Sequence, residues 1–261
     1  MKSKKASARD MKEKFMHRFY VTPAQIAGNT IVITGSDVNH IKNVLRRKTG
    51  DEIIICNGQG KDCYCIINKV SEGEITAEIQ SETDTGTELQ TRITLFQGLP
   101  KKDKMELIIQ KAVELGVHDI VPVMTKRAVV KLEDKKKEEK KLERWQAIAE
   151  EAAKQSGRGM IPRVRPVQSF KEAVSNAKLL GYGIIPYENA TGMQNTKNRL
   201  NSLKDCESVG VFIGPEGGFE ESEIELAMSA GIEPITLGRR ILRTETAGLA
   251  VLAMMVLTFE E

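Results

Sequence analysis

Two stretches decide the fold: VGVFIGPEGGF (209–219) and PITLGRRILRTETAG (234–248). Each opens with a short apolar, β-prone run and passes directly into a glycine-bearing loop. Each then enters a helical pattern, EESEIELAMSAG (220–231) and TAGLAVLAMMVLTF (246–259). A third run, LLGYGIIPY (179–187), opens into a loop in the same way. Working back toward the N-terminus, RITLFQG (92–98) and Ile120–Met124 read as further strands. Between them lies MELIIQKAVELG (105–116), in which Met105, Ile108, Ile109, Ala112 and Leu115 recur at helical spacing. Asp103 with Glu106, and Ser169 with Glu172, have the spacing of capping boxes. A charged stretch runs into the helix LERWQAIAEEAAKQSG (142–157). Strands alternating with helices from Leu89 onward predict an α/β domain with a parallel sheet covered by helices.

The preceding part reads differently. IVITG (31–35), DEIIICNG (51–58), DCYCIINKV (62–70) and EITAEIQ (74–80) are short β-prone runs broken by Gly, Asn and Asp. One helix interrupts them, with Asp37 as cap and Gly50 as stop. This pattern predicts a small, partly open β-barrel. The polar, turn-rich SETDTGTE (81–88) reads as a linker. The expected division is a basic tail at 1–15, a β-barrel domain at 16–87 and the α/β domain at 88–261.

Composition narrows the class. The chain has 261 residues, 40% hydrophobic and 29% charged, which suits a globular fold. The longest uncharged apolar run, Ala247–Leu257, has eleven residues. A bilayer-spanning helix needs about 20, so none is expected. The basic N-terminus lacks the apolar core of a secretory signal, and four cysteines fit a reduced cytosol. The net charge of +3 conceals a strong asymmetry: residues 1–50 carry eleven Lys and Arg against three Asp and Glu. Such a basic segment suggests a polyanion partner or simply a solvated face. Neither GxGxxG nor GxxxxGK[ST] occurs, nor GxSxG or HExxH, and the cysteines make no usual zinc spacing. In open α/β sheets ligands bind beyond the carboxyl ends of strands, and three such ends open into loops here. Gly217 and Gly218 permit positive φ and close backbone approach.

IGPEGGF followed some twenty residues later by LGRRILRTETA resembles the signature of the SPOUT methyltransferases. With HRFYV, HIKNVLRRKTGDEI, QGLPKKDKMELIIQKAVELGV and EEAAKQSGR, the chain is more closely similar to the 16S ribosomal RNA uridine-N3 methyltransferase family from about Met16 to its end. The resemblance implies a PUA-like barrel that helps to hold RNA, followed by a parallel sheet with a deep trefoil knot. It implies a cytoplasmic homodimer that binds S-adenosylmethionine in the knot and methylates a uridine in the decoding region of 16S ribosomal RNA or the small subunit. No metal is expected. Gly214, Glu216, Gly217 and Gly218 would form one cofactor wall, and Leu237, Gly238, Ile241, Leu242 and Thr244 another. Tyr187 and Glu188 would begin the third. Glu216 would bond a hydroxyl or cap the next helix.

Uridine N3 carries a proton at neutral pH, so its methylation calls for stabilisation of the N3 anion. Arg158 and Arg243 are the catalytic candidates, each with phosphate contact or a structural ion pair as the alternative. Arg18, His40, Arg46, Arg47, Lys101, Lys102, Lys104, Arg163 and Arg165 are candidate RNA contacts, for which a plain surface role is the alternative. Rival readings are a SPOUT enzyme acting on another RNA position or a ribose 2′-hydroxyl, and a non-catalytic RNA-binding assembly factor.

Overall fold

The computed structural model describes residues 17–130 and 134–260, so the tail expected at 1–15 lies outside the described residues. The chain divides into two units. The first runs to Glu88 and also takes in Gly157–Met160; the second comprises Leu89–Ser156 and Ile161–Glu261.

In the first unit the strands are β1 (Arg18–Tyr20), β2 (Ile26–Ala27), β3 (Thr30–Thr34), β4 (Glu52–Cys56), β5 (Lys61–Val70) and β6 (Glu74–Asp84). They form one sheet in the order β1-β4-β5-β6-β3-β2, antiparallel except for the β1·β4 pair. Side chains alternate across each strand. Ile31 and Ile33, Ile53 and Ile55, and Cys63, Cys65 and Ile67 therefore fall on one face and fill one core. Burial pushes the Cys63 and Cys65 thiols up to about 12, so both behave as inert small hydrophobes. Among the described residues no group of His, Cys, Asp and Glu could hold a metal ion.

Two local expectations need correction here. The helix expected to run to Gly50 is short. It consists of α1 (Ser36–Asn39), capped by Gly35 rather than Asp37, and a π turn over His40–Val44. Arg46 then takes a left-handed conformation (φ 54), which ends the helix. The stretch 81–88 is not all linker. Ser81–Asp84 continue β6 and pair with β5, because a ladder edge needs backbone groups and not apolar side chains.

The second unit contains β7 (Arg92–Gly98), α2 (Lys104–Glu114), β8 (Asp119–Met124), α3 (Lys135–Gln155), β9 (Arg163–Val164), β10 (Gln168–Ser169), α4 (Phe170–Leu179), β11 (Gly183–Pro186), α5 (Met193–Leu203), β12 (Ser208–Ile213), α6 (Glu221–Ser229), β13 (Ile232–Ile235) and α7 (Thr244–Phe259). The strands form a wholly parallel sheet in the order β10-β8-β7-β12-β11-β13, with β9 also pairing with β8.

Alternation sorts the central strands between two cores. Ile93 and Leu95 of β7, with Val209, Val211 and Ile213 of β12, pack under α2, α3, α5 and α7. Phe96 and Phe212 face the other way, stacked with ring centroids 4.5 Å apart, under α4 and α6. Burial on both faces explains why these strands read as continuous apolar runs. The capping box at Ser169 and Glu172 forms, with Ser169 N donating to the Glu172 carboxylate (2.8 Å). That at Asp103 does not: Glu106 instead accepts from Arg144 (2.8 Å). The charged stretch before Leu142 is itself helix, started by Asp134, whose carboxylate accepts from Lys136 N and Lys137 N. Within this chain α7 is not buried on most sides. Thr244, Gly248, Val251, Leu252 and Met255 face the core, while Ala253 and Leu257 are exposed, Leu257 by 81%. No helix of the described residues is long and apolar enough to cross a membrane.

Candidate active site

At the carboxyl ends of β11, β12 and β13 the second unit carries a cleft of about 620 Å³. This is the edge where a parallel sheet leaves strand ends and loop backbone free to meet a ligand, and the volume suits a nucleoside-sized molecule. All eleven residues expected to bind cofactor line it: Gly214, Glu216, Gly217 and Gly218 on one loop, Leu237, Gly238, Ile241, Leu242 and Thr244 on the second, and Tyr187 and Glu188 on the third. Arg243 lines it as well.

The loops are built tightly. Pro215 lies against the end of β7, and a Cβ on Gly98 would sit 2.7 Å from Pro215 Cδ. Gly218, not Gly217, takes the positive φ (66). Gly217 is constrained by contact instead: its Cβ would meet Arg127 Cβ at 3.1 Å, and its carbonyl accepts from Arg127 Nη1 (3.1 Å). Tyr187 N donates to the Ile235 carbonyl (3.0 Å), joining the third loop to the end of β13. Thr196 of α5 accepts from Thr236 N (3.1 Å) and donates to the Thr236 carbonyl (3.0 Å), fixing the start of the second.

Glu216 does not cap α6, which is closed by a box between Glu220 and Glu223. It accepts from Lys101 N (3.1 Å), and its carboxylate lies 3.1 Å from Lys104 Nζ. Lys104 Nζ is also 3.1 Å from Glu245 at the start of α7. Desolvation opposes the charge on Glu216, but its own N–H, Lys104 and Lys101 N–H outweigh it and hold the carboxyl below its usual range. Glu245 is likewise lowered, chiefly by its own backbone N–H and with help from Lys104, against desolvation. Both are therefore anions at neutral pH and weak proton acceptors.

Arg158 does not line the cleft. It belongs to the first unit, where its side chain is 5% exposed and paired with Glu88. Desolvation of Glu88 is outweighed by Arg158 and by the Met160 and Gly159 N–H groups, so its carboxyl falls below the usual range. This is the structural ion pair that stood as the alternative to a catalytic role. Three RNA-contact candidates are similarly engaged. Arg18 donates to Asp62 (2.8 Å) and to the Gly157 carbonyl (2.7 Å), Lys104 serves the two cleft carboxylates, and Arg165 donates to Asp119 (2.8 Å). His40, Arg46, Lys101, Lys102 and Arg163 are exposed and Arg47 is half-buried.

Arg127, Arg239 and Arg240 also line the cleft and were not singled out in the sequence. A signal for Arg127 was present: it follows the end of β8, and in a parallel sheet every strand delivers its carboxyl end to the same edge.

The parallel sheet and its strand-end cleft define a class, and family models give it content. A model described as an RNA methyltransferase domain matches residues 87–256, and one described as an RNA methyltransferase PUA domain matches residues 33–80. The chain is 39% identical over 244 residues to ribosomal RNA small subunit methyltransferase E of Bacillus subtilis (strain 168), covering 91% of this chain and 95% of the relative. It is 34% identical to the protein of that name from Mesomycoplasma hyopneumoniae (strain 232), covering 92% and 99%. The crystal structure of a ribosomal RNA small subunit methyltransferase E from Neisseria gonorrhoeae bound to S-adenosyl methionine superposes with a TM-score of 0.76. It is 34% identical and covers 92% of this chain and 96% of that one. The chain belongs to the ribosomal RNA small subunit methyltransferase E family.

Proposed function

We propose that this chain is an enzyme that transfers a methyl group from S-adenosylmethionine to N3 of a uridine in the decoding region of 16S ribosomal RNA, in the cytoplasm. The observation that carries the reading is the meeting of three strand-end loops at one cleft, in a chain 34% identical to a relative solved with S-adenosyl methionine. The cleft residues fit that cofactor. Gly218 leaves its backbone exposed, and a Cβ there would meet nothing within 4 Å, so the loop leaves open space at that point. Backbone groups and the apolar Leu237, Ile241 and Leu242 suit a heteroaromatic ring.

When bound, S-adenosylmethionine supplies an electrophilic methyl group on a sulfonium. The chain's own part is to hold the uridine and carry charge. As N3 loses its proton, negative charge spreads to O2 and O4, and a guanidinium aimed there stabilises it. Arg243 is the cleft arginine assigned to that task. Glu216 and Glu245 are too weakly basic for N3, so the proton goes to solvent. Arg127, Arg239 and Arg240 give the cleft a positive lining for a polyanion, and His40, Arg46, Arg47, Lys101, Lys102 and Arg163 extend phosphate contact beyond it. The first unit is the PUA-like part that helps to hold the RNA.

We read the second unit as a deep trefoil knot, supported by the passage of residues 236–243 from edge strand β13 to α7, which packs in the same core as α2 and β12. A crystal structure whose chain, drawn from its ends, pulls straight would sink this. A homodimer is the accompanying reading, since Ala253 and Leu257 leave part of α7 exposed. Sedimentation at low micromolar concentration is expected at about twice 29.0 kDa, and a fully active monomer would reject it. The reaction itself is tested by incubating the protein and S-adenosylmethionine with unmethylated small subunits and with their naked RNA, followed by nucleoside mass spectrometry. 3-Methyluridine is expected. A 2′-O-methyl product, or none, overturns the assignment.

A further inference from the structure

Gln97, next to last in β7, has a fully buried side chain. Its Nε2 donates to the Gly98 carbonyl (2.9 Å) and to Thr244 Oγ1 (2.9 Å), and Thr244 Oγ1 donates to the Gly214 carbonyl (2.6 Å). The direction of this chain of bonds is forced. A carbonyl only accepts, so the hydroxyl proton goes to Gly214 and the hydroxyl oxygen must receive an N–H. Serving both the hydroxyl and the Gly98 carbonyl takes a group with two protons and no charge, which an amide has and a carboxylate lacks. Oε1 is left without a hydrogen-bond partner among the described residues, on the side of Gly248. An unpaired buried carbonyl is destabilising, and an apolar side chain of similar size would avoid it. What the amide contributes is therefore what its NH2 group holds.

We infer that Gln97 is a positioning residue for the cofactor cleft, acting through the Thr244 hydroxyl on the Gly214 carbonyl. Three segments meet at this relay: the end of β7, the start of the 214–219 loop and the first turn of α7. The last two carry two cleft walls. A second tie, from Lys104 of α2, joins the 214–219 loop to α7: its Nζ lies 3.1 Å from both Glu216 and Glu245. The two ties differ in what their loss does. The side chains of the outer tie keep part of their surface in water, 28% for Lys104, 27% for Glu216 and 17% for Glu245, whereas breaking the inner one leaves polar groups unpaired in a drier interior. The inner tie therefore sets where the Gly214 loop stands relative to α7, and with it the shape of the cleft.

This inference rests on reading the cleft as the S-adenosylmethionine site. The test is calorimetric titration of the full chain with S-adenosylmethionine, for the wild type, Gln97→Met, Thr244→Val, Thr244→Ser and the Gln97→Met/Thr244→Val double variant. Gln97→Met and Thr244→Val are each expected to weaken binding about tenfold, the scale of a lost buried hydrogen bond. Thr244→Ser, which keeps the hydroxyl, should lose less affinity than Thr244→Val. The double variant should be scarcely weaker than the worse single one, because both break one relay. In steady state, KM for the cofactor should rise more than kcat falls. A role in packing alone would lower Tm and leave cofactor affinity in the folded variants unchanged. Should Gln97→Met fail to fold, Gln97→Leu, which also removes the amide NH2, takes its place in the series. Wild-type affinity in Thr244→Val, or multiplying losses in the double variant, overturns the inference while the wild type still binds. No binding to the wild type overturns the cofactor reading, and the inference with it.

Discussion

Arg243→Ala is expected to slow single-turnover methylation at neutral pH by about 10²–10³, the scale for removing one preorganised donor to a developing anion. The guanidinium favours the ionised uridine and lowers its effective pKa, so the wild-type rate should level off nearer neutral pH than that of the variant. Raising the pH supplies the anion from solvent and should restore part of the loss. Arg158→Ala should behave differently. It removes one partner of an ion pair in which Arg158 is 5% and Glu88 21% exposed. It should cost about 2–4 kcal/mol of stability, with no recovery of rate at alkaline pH. Stopped reactions across pH 6–10, paired with thermal unfolding, separate the two. A pH-independent loss in Arg243→Ala, accounted for entirely by weaker RNA or cofactor binding, would reduce that arginine to a binding residue.

Gly98→Val should have a large effect for a purely steric reason. Gly98 does not take a positive φ, so valine meets no backbone penalty there. The added Cβ would stand 2.7 Å from Pro215 Cδ and 2.8 Å from Pro215 N, closer than real atoms approach. Since β7 sits inside the sheet, the Pro215 loop must move. Overpacking on this scale costs about 1–3 kcal/mol. The same displacement is expected to weaken S-adenosylmethionine binding by about 10–100-fold, because the loop carrying Gly214 to Gly218 is a cleft wall. Calorimetry on the folded variant checks it, and unchanged affinity would remove the Pro215 loop from the cofactor site.

Much of this site is legible in the chain because it depends on local rules. Glycines directly after β-prone runs, at 214, 217 and 218 and again at 238, mark strand ends that open into loops. A parallel sheet brings such ends to one edge, so three loops could be assigned to one cleft before any contact was visible. The helices around them follow from apolar spacing, and the box at Ser169 and Glu172 from two residues three apart.

What the sequence could not decide is which of several possible partners a polar group takes. Arg158 and Arg243 look alike as residues in loops. Tertiary structure buries one against Glu88, 70 positions away, and sets the other in the cleft. Glu106 could equally close a capping box or reach Arg144, and it does the latter. Lys104 reads as a phosphate contact until Glu216 and Glu245, more than 100 positions later, are folded against it. Gln97 reads as part of a strand until Thr244, 147 positions later, is folded against it. Hydrophobic periodicity and glycine placement are properties of neighbouring residues, so the sequence by itself determined the parallel sheet and the edge where the cleft lies. Hydrogen bonds and ion pairs are satisfied by whatever the packed chain brings within about 3 Å, so only the tertiary structure decided which charged and polar side chains face that cleft.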